Sequence, residues 1–178
     1  MQTQEFPAAP WSKAIKVVTS LGLLLIGGVT WGAIHAIPPT GFAHNFGIGV
    51  ACIPPALILG CGLFVVRSFR VDEGNLAIRR LAWSTTFPLL GIHDAWHDPE
   101  ALQCSLRIIG NGGLFGAVGL FQNEKLGRYR LFATDPAKSV VLRLHDRTLV
   151  ITPDDPEAFL ACLKTLIPRL TLTPLPLK

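Results

Sequence analysis

The sequence predicts an α+β membrane protein: a two-helix transmembrane hairpin, then an antiparallel β-roll closed by a C-terminal α-helix. Three observations carry this expectation. Two apolar runs without Asp, Glu, Lys or Arg occupy residues 17–37 and 46–66. Beyond residue 68 the apolar pattern breaks into short runs punctuated by turn residues. The stretch beginning Asp155-Pro156-Glu157 returns to helical spacing.

Each apolar run is about 21 residues, which at the helical rise covers roughly 30 Å, the thickness of a bilayer's hydrocarbon core. Pro38, Pro39 and Gly41 in the connection stop a helix and turn the chain, so the two helices are expected as antiparallel neighbours. Gly28 with Gly32, and Ala56 with Gly60, form small-xxx-small pairs that would let helix backbones approach. Pro54 and Pro55 predict a kink in the second helix. Trp11 and Trp31 suit interfacial anchoring. The first run exceeds the length of a signal-peptide core, and residues 33–36 form no clean cleavage site.

Charge sets the orientation. Lys13 and Lys16 precede the first run, residues 38–45 hold no Lys or Arg, and Arg67, Arg70, Arg79 and Arg80 follow the second. The positive-inside rule then places both termini in the cytoplasm. The chain divides into an N-terminal tail (1–16), the hairpin (17–66), the roll with its helix (67–168) and a Pro/Leu-rich tail (169–178).

Within the roll, strands are expected at 68–73, 76–85, 87–92, 106–109, 114–121, 129–133, 140–144 and 149–152. Turn signals separate them at 73–75, 123–127, 135–136 and 145–146. Asp155 is a good N-cap, Pro156 suits the first helical position, and Glu157 favours the positive end of the dipole. Phe159, Leu160, Leu163, Leu166 and Ile167 share one face, and Pro168 ends the helix.

Four segments of this region carry a resemblance: GLFGAVGLF (113–121), LGRYR (126–130), ATDP (133–136) and VITPDDPEAF (150–159). Together they resemble the bacterial pleckstrin-homology-like (PH-like) domain family over about residues 68–168. The resemblance implies a small cytoplasmic β-roll attached to membrane helices. It also implies a multi-pass location in the bacterial cytoplasmic (inner) membrane and a binding or scaffold role without catalysis. The phosphoinositide-reading pleckstrin domains carry a basic-x-Arg pattern on their first hairpin. Here Arg79 and Arg80 are adjacent, so they point to opposite faces of a strand.

Candidate chemistry is sparse. HDAWHD (93–98) resembles the zinc-protease H-E-x-x-H motif with Asp in place of Glu, and His145 and Asp146 are candidates for a further ligand. Pro99 and the preceding strand-like run argue instead for a strand end and turn. The glycines of 110–119 match no phosphate-binding loop and predict a bulge or sharp bend. No nucleophile elbow occurs. A net charge of +4 without a long basic run gives nucleic-acid binding little support, and no nucleic-acid partner is expected. Cys52, Cys61, Cys104 and Cys162 form no CxxC and are read as small buried residues.

The function expected is a membrane-anchored, non-catalytic module that binds a protein or lipid partner and uses no cofactor. Arg67, Arg70, Arg79, Arg80, Lys125, Arg128 and Arg130 are the candidate contacts to head groups or partner. The alternatives are an accessory or assembly subunit of a larger membrane complex, and a metal-dependent membrane hydrolase using His93 and His97. The bilayer, an unidentified membrane or cytoplasmic protein, and further copies of the chain are the expected partners.

Overall fold

The structure, a computed structural model, describes residues 3–38, 40–72, 74–167 and 171–172. Two long helices lead into two packed sheets and a closing helix. Helix α1 (Lys13–His35) begins four residues before the apolar run because Ser12 caps it: the Ser12 Oγ accepts from the Ile15 amide at 3.3 Å. Helix α2 (Phe42–Leu63) begins after Gly41, whose φ of +92° needs no Cβ penalty, and continues through Pro54 and Pro55. Both are long and apolar enough to cross a membrane, and few residues of their most apolar stretches are buried. They pack against each other. The small-residue faces take no part in that contact: a Cβ added at Gly28, Gly32 or Gly60 would meet nothing within 4 Å.

The first sheet contains a strand that the sequence pattern did not announce. Strand β1 (Gln4–Pro7), within the expected tail, pairs antiparallel with β2 (Val66–Val71), placing Phe6 opposite Phe69. Strands β3 (Asn75–Arg80) and β4 (Ser84–Pro88) complete the order β1-β2-β3-β4. The single strand expected at 76–85 is therefore two, folded at residues 81–83, where the Arg80 amide donates to the Trp83 carbonyl at 2.9 Å.

The second sheet has the order β11-β5-β9-β10-β8-β7-β6. Its strands are β5 (Ile92–His97), β6 (Leu106–Gly112), β7 (Ala117–Asn123), β8 (Gly127–Ala133), β9 (Val140–Leu144), β10 (Thr148–Ile151) and β11 (Thr171–Leu172). The expected strand at 87–92 is replaced by the end of β4, a short 3₁₀ turn (Leu89–Gly91) and the start of β5. The expected 106–109 and 114–121 strands become a longer hairpin whose turn takes Leu114, Phe115 and Gly116. The sheet is mixed: β10 runs parallel to β8, and β11 parallel to β5.

The sheets and helix α3 (Pro156–Leu166) enclose the main core. Asp155 caps α3, accepting from the Ala158 amide at 2.9 Å. Phe159 and Leu163 are fully buried, with the Phe6 ring edge-on to Phe159 at 5.2 Å. The helix thus covers the opening between the sheets, as its apolar face predicts. Pro168, expected to end it, lies outside the described residues. A second core gathers Trp96, Phe121, Tyr129 and Val150 on the other face of the large sheet. Burial raises the Tyr129 phenol above its ordinary pKa, while a 2.6 Å bond to the Ser105 hydroxyl opposes the rise.

Residues 8–12 strap the sheets to α1. Ala9 donates to the Thr152 carbonyl at 2.9 Å, Ser12 donates to the Thr134 carbonyl at 3.1 Å, and the Thr134 hydroxyl donates to the Ala9 carbonyl at 2.6 Å. Two cysteine expectations fail, since Cys52 and Cys104 are exposed; Cys61 and Cys162 are half-buried, and all four are free thiols.

Candidate functional site

The seven basic residues chosen from sequence do not form one patch. Ion pairs engage three of them. Arg70 pairs with Asp72 at 3.3 Å, Arg79 with Glu5 at 3.2 Å, and Lys125 with the fully buried Asp98 at 2.5 Å. Arg128 donates to the Gln122 side chain, at 3.4 Å. Arg67 is exposed just past α2, in a depression of about 410 Å³ shared with Arg79 and Glu5. Glu5 also accepts from the Ser68 hydroxyl at 2.5 Å; that bond, then the Arg79 charge, holds its carboxyl below the ordinary pKa.

Arg80 and Arg130 are different. With Arg107 they line a groove of about 800 Å³ between the C-terminal end of α2 and the sheet. Ala56, Leu57, Gly60 and Cys61 of α2 form one wall, with Phe64 just beyond. Ile109, Val118, Leu120 and Phe132 form the sheet side. Cross-strand register explains this side: Ile109 faces Leu120, Leu120 faces Arg130, and Val118 faces Phe132. Among the described residues, none lining the groove is acidic.

The backbone shapes the groove's floor. Gly110 and Gly119 are register partners, with φ of +121° and +154°. A Cβ on Gly119 would lie 2.1 Å from the Ile109 carbonyl oxygen, and one on Gly110 2.3 Å from that of Val118. Only glycine permits so close a crossing. The register also shifts between Arg107 and Ile109, a bulge of the kind that re-aims side chains.

Arg80 is the most constrained cation. Its guanidinium carbon lies 5.0 Å from the Phe132 ring centroid, 5.4 Å from Trp83 and 5.9 Å from Phe64. Its Nε is buried and has no hydrogen-bond partner among the described residues, and burial lowers its pKa. Aromatic faces hold the charge, at about 0.5–2 kcal/mol per contact, without satisfying the Nε donor. Adjacent Arg79 points the other way, to Glu5. Arg107 escaped the sequence reading because it stands alone in an apolar strand. That isolation was the available signal: a single charge kept within Leu106-Arg107-Ile108-Ile109.

The histidine pair lies on strand β5, not on a helix. His93 packs its ring edge-on against His145 at 5.2 Å, while His97 Nε2 lies 3.1 Å from the Ala137 carbonyl. Among the described residues, no three His, Cys, Asp or Glu side chains are grouped to hold a metal ion. Asp146 is paired with Arg147, chiefly through a hydrogen bond that lowers its pKa.

Compared with protein-family models, residues 67–167 match the one described as bacterial PH domain. No curated protein and no solved structure matches the chain.

Proposed function

The chain belongs to the bacterial PH domain family, and from that premise we propose that it is a membrane-anchored, non-catalytic binding module whose groove receives an anionic lipid of the cytoplasmic leaflet. The observation that carries this reading is the convergence of Arg80, Arg107 and Arg130 on an apolar groove beside α2. Guanidinium groups supply planar donors suited to phosphate oxygens. The Leu57, Ile109 and Leu120 side chains offer contact to the hydrocarbon of the same molecule. One groove thus fits both ends of an amphiphile.

The anchor reading draws on α1 and α2, and the pairing of β1 with β2 supports its topology. Those strands flank the helical hairpin in sequence and share a sheet, so both ends of the hairpin lie on one side. By the positive-inside rule, Lys13, Lys16 and Arg67 favour the cytoplasm as that side. The groove then opens at head-group level, where each cation attracts anionic lipid by about 1 kcal/mol.

Native mass spectrometry of the full chain, released from phosphatidylcholine/phosphatidylglycerol nanodiscs, tests the proposal. Wild type should retain phosphatidylglycerol selectively. The chain with Arg80→Gln, Arg107→Gln and Arg130→Gln should lose that selectivity, whereas Arg70→Gln and Arg128→Gln should keep it. Equal retention by the triple variant would refute the groove as the lipid site.

A further inference from the structure

The β6–β7 hairpin leaves apolar side chains uncovered. On β6, the terminal strand of its sheet, Leu106 is 76% exposed, Ile108 45% and Ile109 70%. Residues 108–123 contain no Asp, Glu, Lys or Arg. An exposed apolar edge of this kind is an aggregation hazard in water.

The hairpin's tip is fixed against α1. Phe115 donates its amide to the Thr19 hydroxyl at 3.1 Å, and that hydroxyl donates to the Gly113 carbonyl at 3.3 Å. Trp11 packs on the Phe115 ring at 5.8 Å. Further along the helix, a Cβ on Gly22 would meet the Leu114 side chain at 3.1 Å. The contact therefore extends into the apolar part of α1. Lys16 is the last charge before that part, and Gly22 follows six residues later, a rise of about 9 Å.

We infer that the β6–β7 hairpin is a membrane-inserted element, with its tip at the boundary between lipid head groups and acyl chains. The inference rests on the reading that α1 and α2 cross the bilayer. Two features favour lipid as the occupant. The uncovered β6 residues continue the lipid-facing surface of the helices through the Thr19–Phe115 contact. Arg107 and Arg130 stand where the hairpin meets the groove, placed for phosphate. Depth is limited by the outer backbone groups of edge strand β6, which no strand among the described residues pairs and which need water or lipid polar groups as partners. The boundary region supplies both, at the 5–10 Å depth typical of interfacial elements.

The test uses the full chain with its four cysteines replaced by alanine and single cysteines introduced for a bimane label. It is placed in phosphatidylcholine/phosphatidylglycerol vesicles whose acyl chains carry bromine. Label at Ile109→Cys should be quenched at least about half as strongly as at Leu24→Cys in α1, as a boundary position requires. Label at Leu90→Cys, 88% exposed on the turn before β5, should not be quenched. Quenching at Leu24 without quenching at Ile109 would overturn the inference while leaving the anchor intact. Absence of quenching at both would overturn the anchor, and the inference with it. Should the cysteine-free chain fail to fold, wild type can be photolabelled by a phospholipid with a diazirine in its acyl chain. Adducts within residues 106–115 are then expected, and adducts confined to α1 and α2 would overturn the inference.

Discussion

Replacing Lys125 by methionine should destabilise the folded domain by about 2 kcal/mol without altering lipid selectivity. Its Nζ lies 2.5 Å from the Asp98 carboxylate, whose side chain is 0% exposed, while Lys125 itself is 40% exposed. Asp98 also accepts from the Glu100 amide at 3.0 Å, so it organises the turn after β5. At an effective dielectric near 20 the pair attracts by about 7 kcal/mol, most of it offset by taking Asp98 out of water. Breaking a fully buried pair costs about 3–5 kcal/mol, and an exposed one about 0–1. One buried partner and one partly wetted partner place this pair between those limits. The assay is urea unfolding of the full chain in detergent, read as a midpoint shift at constant slope. Adding Asp98→Asn to Lys125→Met should recover part of the loss, because the stranded charge is then removed. A Lys125→Met chain as stable as wild type would refute the reasoning. So would a stable variant that had lost phosphatidylglycerol selectivity, which would return Lys125 to the ligand contacts proposed from sequence.

Other expectations are equally direct. Gly119→Ala should cost about 2–3 kcal/mol, because the new methyl meets the Ile109 carbonyl at a positive φ; hydrogen exchange should accelerate across β6 and β7. Thr19→Val strands the Phe115 amide and Gly113 carbonyl. It should loosen the hairpin tip by about 1–3 kcal/mol, measurable as faster exchange at residues 113–116 with β9 and β10 unchanged. Glu5 is held below its ordinary pKa first by Ser68 and then by Arg79. The protection it gives β1 should therefore be full above the ordinary glutamate pKa and be lost as pH falls through the lower folded-state value. Hydrogen exchange of residues 4–7 along a pH series should show that loss, and Glu5→Gln should abolish the acid-dependent step.

Much of the fold was legible because local signals agreed with the tertiary result. The Asp155-Pro156 cap and the Phe159/Leu163 face specify α3, and the two charge-free runs specify α1 and α2. Strand β1 was not legible: Gln4-Glu5-Phe6-Pro7 is too short and polar to announce itself. It forms because Phe6 lies against Phe159 and the 8–12 strap fixes the chain. The break after Arg80 was hidden for a related reason. Leu81 and Trp83 continue the strand-like alternation, and the fold bends there because Arg80, Trp83 and Phe64 pack together.

The sequence alone determined the elements governed by composition and near neighbours: two helices of membrane length, a series of short strands, a capped closing helix and the signs of the flanking charges. The tertiary structure decided where the cations sit and what they meet. Arg79 and Arg80 are adjacent, yet one is paired with Glu5 and the other lies beneath three rings in the groove. Arg107 joins Arg80 and Arg130 from a distant strand. A charge's neighbours across a sheet are set by register, bulges and docking of the helical hairpin, which depend on contacts far apart in the chain.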